Sequence, residues 1–202
     1  MRAMRLSHGL GLGLVALSCA LLAACAQQDA GLAAAPACSY GASGDELTSR
    51  PSPPDSSVVR LGDGAAKVCY SAPSARGRQV MGGLVPWDRP WRLGANEATV
   101  LHVTVPAEIG TVRVEPGSYS LYAIPGESEW TIVVNRVVER WGIPIDEGVR
   151  AEDVGSFTIA PEATDHVERF SIVLEPVEGG AAQMVIAWET TRLAFPVRPA
   201  AS

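Results

Sequence analysis

Histidine and cysteine are scarce in this sequence. Its 202 residues hold three histidines and four cysteines, with no Cys-x-x-Cys pair. A closed zinc site needs four nitrogen, sulfur or oxygen ligands at short spacings, so metal-assisted hydrolysis lacks its ligands and no metal or other cofactor is expected. No Gly-x-Ser-x-Gly elbow occurs, which removes the usual frame of an α/β-hydrolase serine. Positive charge is also short. Lysine and arginine total 16 against 22 aspartates and glutamates, a formal charge of −6, and that balance argues against a general nucleic-acid surface. No apolar run reaches the about 20 residues of a membrane-spanning helix: the stretch 9–24 is shorter and is broken by Gly11, Gly13 and Ser18. The alternation Gly9-Leu10-Gly11-Leu12-Gly13 is no nucleotide loop, because no strand precedes it.

What is present begins with an export signature. Arg2 and Arg5 form a charged start, residues 10–22 are apolar, and Leu22-Ala23-Ala24 ends the segment on small residues. Cys25 follows directly, and Leu-Ala-Ala-Cys resembles a bacterial lipobox. That resemblance implies removal of residues 1–24, acylation of Cys25 and a lipid-anchored protein. Ala26 in place of Asp implies the outer membrane, facing the periplasm. Each buried CH₂ of an acyl chain contributes about 0.8 kcal/mol, so several chains hold firmly. The formal charge of −6 becomes −8 when Arg2 and Arg5 leave with the signal. Cys19 leaves too, and Cys38 and Cys69 remain in an oxidising compartment. A disulfide between them would contribute about 3–4 kcal/mol by loop closure; the alternative is one buried and one exposed thiol.

Residues 25–57 are rich in Ala, Gly, Ser and Pro and read as a flexible tether. The domain is expected over 58–202. There Thr99, Leu101, Val103 and Val105 alternate with Val100, His102 and Thr104. Further period-two sets are Tyr119/Leu121/Ala123, Trp130/Ile132/Val134, Phe170/Ile172/Leu174, Met184/Ile186/Trp188 and Leu193/Phe195/Val197. Pro116-Gly117 and Pro125-Gly126 suit type II turns, and Gly179-Gly180 suggests a hairpin. One short helical turn is expected within 135–141. The expected fold is all-β: a single antiparallel sandwich or flattened barrel of about eight to nine strands with little helix.

The stretch 70–99 departs from this pattern. It is broken by Gly and Pro, carries Trp87 and Trp91, and with Lys67 holds five cations against Asp88 and Glu97. Long loops of this kind often carry function, and guanidinium groups fit carboxylate and phosphate oxygens in a planar fork. Arg76, Arg78, Trp87, Trp91, Arg92, Asn96 and Glu97 are therefore the candidate ligand-binding residues. The competing account pairs the arginines with acidic neighbours, Arg92 with Glu97 above all, and buries the tryptophans.

The motifs Tyr70-Ser71-x-Pro73-Ser74-x-Arg76-Gly77-Arg78, Gly82-Gly83-Leu84-Val85-Pro86 and Trp91-Arg92-x-Gly94-Ala95-Asn96-Glu97-Ala98-Thr99 resemble the bacterial family called domain of unknown function 2911. Pro116-Gly117-Ser118-Tyr119-Ser120-Leu121-Tyr122, Ile124-Pro125-Gly126, Glu129-Trp130-Thr131 and Asn135 resemble it too. Cys69 stands where Thr is more usual. The resemblance spans about 58–197 and implies exported, β-rich proteins; it carries over no catalytic residue.

Enzyme readings find little support. His102 lies inside a strand, facing out or filling the second face, and His166 follows Asp165 in a polar turn, so each reads as a surface imidazole and not as a base. Glu97 with a second carboxylate such as Glu108, Glu127 or Glu129 is the hydrolase alternative. The expected function is a non-enzymatic envelope lipoprotein that binds an anionic or carbohydrate ligand, or a protein partner, through the 70–99 region. A purely structural role is the third reading.

Overall fold

The computed structural model describes residues 35–41 and 43–201. The signal segment, Cys19 and Cys25 lie outside the described residues. Ten strands form two antiparallel sheets: β1 (Pro54–Leu61), β2 (Gly64–Ser71), β3 (Thr99–Val103), β4 (Ala107–Ile109), β5 (Val112–Val114), β6 (Gly117–Pro125), β7 (Trp130–Asn135), β8 (Asp153–Ile159), β9 (Glu162–Val177) and β10 (Ala181–Pro199). The six-stranded sheet runs β1-β2-β3-β6-β7-β8 and the four-stranded sheet β5-β4-β10-β9. They face each other as an all-β sandwich and do not close into a barrel. Among the described residues two short α-helices, α1 (Asp45–Ser49) and α2 (Glu147–Arg150), lie outside the sheets.

The alternating residues point as their phase requires. Leu101, Tyr119, Leu121, Ile132, Phe170 and Ile172 are buried between the sheets. The two runs read at 184–188 and 193–197 are one continuous strand. Trp188 and Leu193 have opposite parity, and β10 reconciles them by register shifts against β9, with Glu189 at φ 54°. A bulge adds a residue and restores the inward phase, so both halves feed the core.

Other local expectations needed correction. Neither Gly117 nor Gly126 has a positive φ, so neither occupies the third position of a type II turn. Gly126 is needed for space instead: a Cβ there would stand 2.5 Å from the Glu129 carbonyl oxygen. Residues 135–141 form no helical turn. Instead, Ala98 N donates to Arg140 O (3.2 Å) and Gly142 N donates to Asn96 O (2.7 Å), which lays the 138–142 loop along residues 96–98. Gly142 permits the contact, since a Cβ there would meet Arg92 Cδ at 2.2 Å. Among the described residues no helix is long and apolar enough to cross a membrane.

The sheet starts at Pro54, four residues ahead of the expected domain start at Val58. The described part of the expected tether is also tied down. Cys38 is disulfide-bonded to Cys69 on β2, Lys67 Nζ donates to Pro36 O at 3.1 Å, and Tyr40 Oη donates to Asp55 O at 3.1 Å. This segment orders itself on the sheet surface through covalent and polar contacts, which its composition does not reveal.

Candidate functional site

A cleft with a volume of about 590 Å³ lies on the outer face of the six-stranded sheet. Its floor is Cys69 of β2, Val100 and His102 of β3 and Ser118 of β6. One wall is the strap at 37–41, held by the disulfide, and the other is Val138–Trp141. Glu97 and Ala98 also line it. The site therefore follows from strand phase: residues that point away from the core would be solvent-exposed, and the strap and loop enclose them.

Glu97 is the one candidate of seven that reaches this cleft. Arg50 Nη1 donates to both of its carboxylate oxygens, at 2.8 and 3.0 Å, and Gly41 N adds a bond at 2.9 Å. Burial pushes the Glu97 carboxyl up, but the Arg50 and backbone donors outweigh it and hold it below the ordinary value. The partner of Glu97 is Arg50 and not Arg92. Arg92 packs its stem against Gly142, burial lowers its guanidinium, and its Nε is shielded with no hydrogen-bond partner. Asn96 Nδ2 donates to Ser52 O at 3.0 Å. Arg92 and Asn96 thus back the wall and do not line it.

The other four candidates lie elsewhere. Trp91 is 7% exposed in the core, edge-on to Trp130 and Phe170 and stacked on Trp188 at 6.0 Å. Trp87 is partly buried against the same core. Arg76 Nη2 donates to Pro51 O, and Arg78 donates to Ala75 O and Ser74 O. None of the three acids considered as a partner for Glu97 lines the cleft. Glu108 bridges to Arg198 on the four-stranded sheet, and Glu127 and Glu129 are exposed in the β6–β7 turn. The second carboxylate that does line it is the exposed Glu139.

Three cleft residues, Arg140, Trp141 and Ser118, are absent from the sequence candidates, and a fourth, His102, reads from the sequence as a surface imidazole. Arg140 Nη1 donates to the carbonyls of Trp141 and Gly142 at 3.2 and 2.9 Å. Its Nε and Nη2 are shielded from solvent and have no hydrogen-bond partner. Burial lowers this guanidinium, against the pull of Tyr122 and Asp146. Trp141 is 52% exposed, with Arg50 Cζ 5.9 Å from its ring centroid. His102 is not the surface imidazole expected: it is 8% exposed, and its Nδ1 lies 2.7 Å from Ser118 Oγ. His166 lies within β9, 3.4 Å from Glu168. Only the outward phase of His102 signalled the floor, and no local pattern signalled Arg140. Among the described residues no three His, Cys, Asp or Glu side chains gather as a metal site.

A family model described as a protein of unknown function, DUF2911, matches residues 52–197. The chain belongs to the DUF2911 family. No curated protein and no solved structure matches it. The DUF2911 match covers β1 to β9 and β10 as far as Val197, and with them the cleft floor and the 138–141 wall; the strap that forms the other wall precedes it.

Proposed function

We propose that this DUF2911 protein is an exported, lipid-anchored bacterial envelope protein whose domain binds a small organic anion in the outer-face cleft. The observation that carries the reading is Arg140. A guanidinium at the cleft wall with two unmet donor nitrogens is costly, and a carboxylate or phosphate toward which the Arg140 side chain turned those nitrogens would satisfy them through charge-assisted bonds. Trp141 offers an exposed ring at the mouth for an apolar or sugar body. Glu97 is already neutralised by Arg50 and so does not compete strongly for Arg140. The Cys38–Cys69 disulfide supports the export half of the reading, because such bonds persist in oxidising compartments.

The test of binding is a thermal-shift series with glucuronate, glucose 6-phosphate and neutral glucose. A ligand selective for the native state raises the midpoint by mass action. An acidic probe is expected to raise it and glucose is not, and the rise should vanish in a folded Arg140→Gln variant. Equal response to all three probes, or a rise that survives Arg140→Gln, removes Arg140 as the anion site. The anchor is tested by metabolic lipid labelling: label is expected on the wild type and absent in Cys25→Ser. Unchanged labelling rejects acylation at Cys25.

A further inference from the structure

The cleft floor carries chemistry that anion binding does not use. His102 on β3 and Ser118 on β6 are direct partners across the antiparallel ladder. Both side chains point to the outer face, both line the cleft, and Nδ1 and Oγ stand 2.7 Å apart. That distance is within reach for proton transfer between a nucleophile and its base. Ser118 is half-buried and opens on the cleft.

The surroundings favour the neutral imidazole. Burial comes first and the Lys67 charge on β2 second, and both hold His102 below its ordinary value. The other titratable groups lining the cleft are Glu97, Glu139, Arg140 and Tyr40. Glu97 is bonded to Arg50, and the Tyr40 phenol is pushed up to about 12, chiefly by burial, so it stays protonated. Among the described residues no carboxylate bonds to His102, so the arrangement is a dyad.

We propose that Ser118 and His102 form a nucleophile–base pair for acyl transfer, and that the ligand of the cleft is an anionic ester, one that carries a free carboxylate or phosphate beside the ester bond. In the first step Ser118 Oγ attacks the ester carbonyl carbon while its proton passes to His102 Nδ1. The carbon–oxygen bond to the alcohol then breaks, and His102 returns the proton to the leaving alkoxide. Water repeats the sequence: His102 takes its proton, the hydroxyl attacks the acyl carbon, and Ser118 Oγ leaves reprotonated with release of the acid. Arg140 supplies positive charge in the same cleft. The proposal deepens the binding reading and shares its cleft, but it does not depend on which anion Arg140 holds.

The test is reaction of the purified chain with a fluorophosphonate, followed by peptide mass spectrometry. An adduct on Ser118 is expected, formed faster as pH rises through the lowered His102 range, and absent in Ser118→Ala. General-base assistance is typically worth about 10²–10⁴-fold, so His102→Gln should slow labelling by at least about 10²-fold with the thermal midpoint of a folded protein. If His102→Gln does not fold, the pH profile of the wild type carries the same information. No adduct, an adduct spread over other serines, or a pH-independent rate overturns the dyad. An adduct without any glucuronate or glucose 6-phosphate shift keeps the dyad and rejects the anion reading. A shift without an adduct rejects the dyad alone.

Discussion

Two arginines stand near Glu97, and sequence distance favours the wrong one. Arg92 is five residues away and Arg50 forty-seven, yet it is Arg50 whose Nη1 bonds both carboxylate oxygens. Arg92 is committed to the wall, where its stem fills the space beside Gly142. The pair has a pH signature. The Glu97 carboxyl is held below its ordinary value of 4.5, so its stabilisation is complete above that value and is lost as pH falls through the lower folded value. Acid unfolding curves of wild type and Glu97→Gln should therefore be separated at neutral pH and draw together as pH falls below the ordinary carboxyl value. Parallel curves down to pH 2 would mean that the carboxylate is not held by charge. Trp91 makes the opposite case. It was a candidate stacking face, and it is a core residue enclosed by Trp130, Phe170 and Trp188. Trp91→Ala is expected to cost about 3–5 kcal/mol in denaturant unfolding. A loss below about 1 kcal/mol would contradict its place in the core.

At the scale of elements, the strap at 37–41 and the 138–142 loop convert an outer sheet face into a cleft. The loop is held by backbone bonds to residues 96 and 98, whereas the strap depends on a few side-chain contacts and one covalent bond. The disulfide closes a separation of 31 residues, for which chain entropy alone gives about 4 kcal/mol. Cys38→Ser should lower the unfolding free energy by roughly 2–4 kcal/mol. Hydrogen exchange should also quicken at residues 37–41 while β6 and β7 keep their protection. Unchanged exchange in the strap would show that the polar contacts suffice to hold it.

For the whole molecule, the sequence by itself determined the all-β architecture, the inward residues of β3, β6, β7, β9 and β10, and the family. Alternation is a local property: successive side chains of an extended chain point to opposite faces, and burial selects the apolar face. Leu101, Leu121, Ile132 and Phe170 were legible for that reason, and so was the outward direction of His102. Tertiary structure decided which outward residues meet. Ser118 became the partner of His102 through strand register, Arg50 reached Glu97 across the chain, and Arg140 was shielded by loop placement. The 70–99 motifs drew attention to glycines, arginines and tryptophans that mostly build walls and core. The physical reason is that a cleft is made by long-range closure. Which residues share it depends on pairings between segments far apart in the chain, and no local periodicity encodes those pairings.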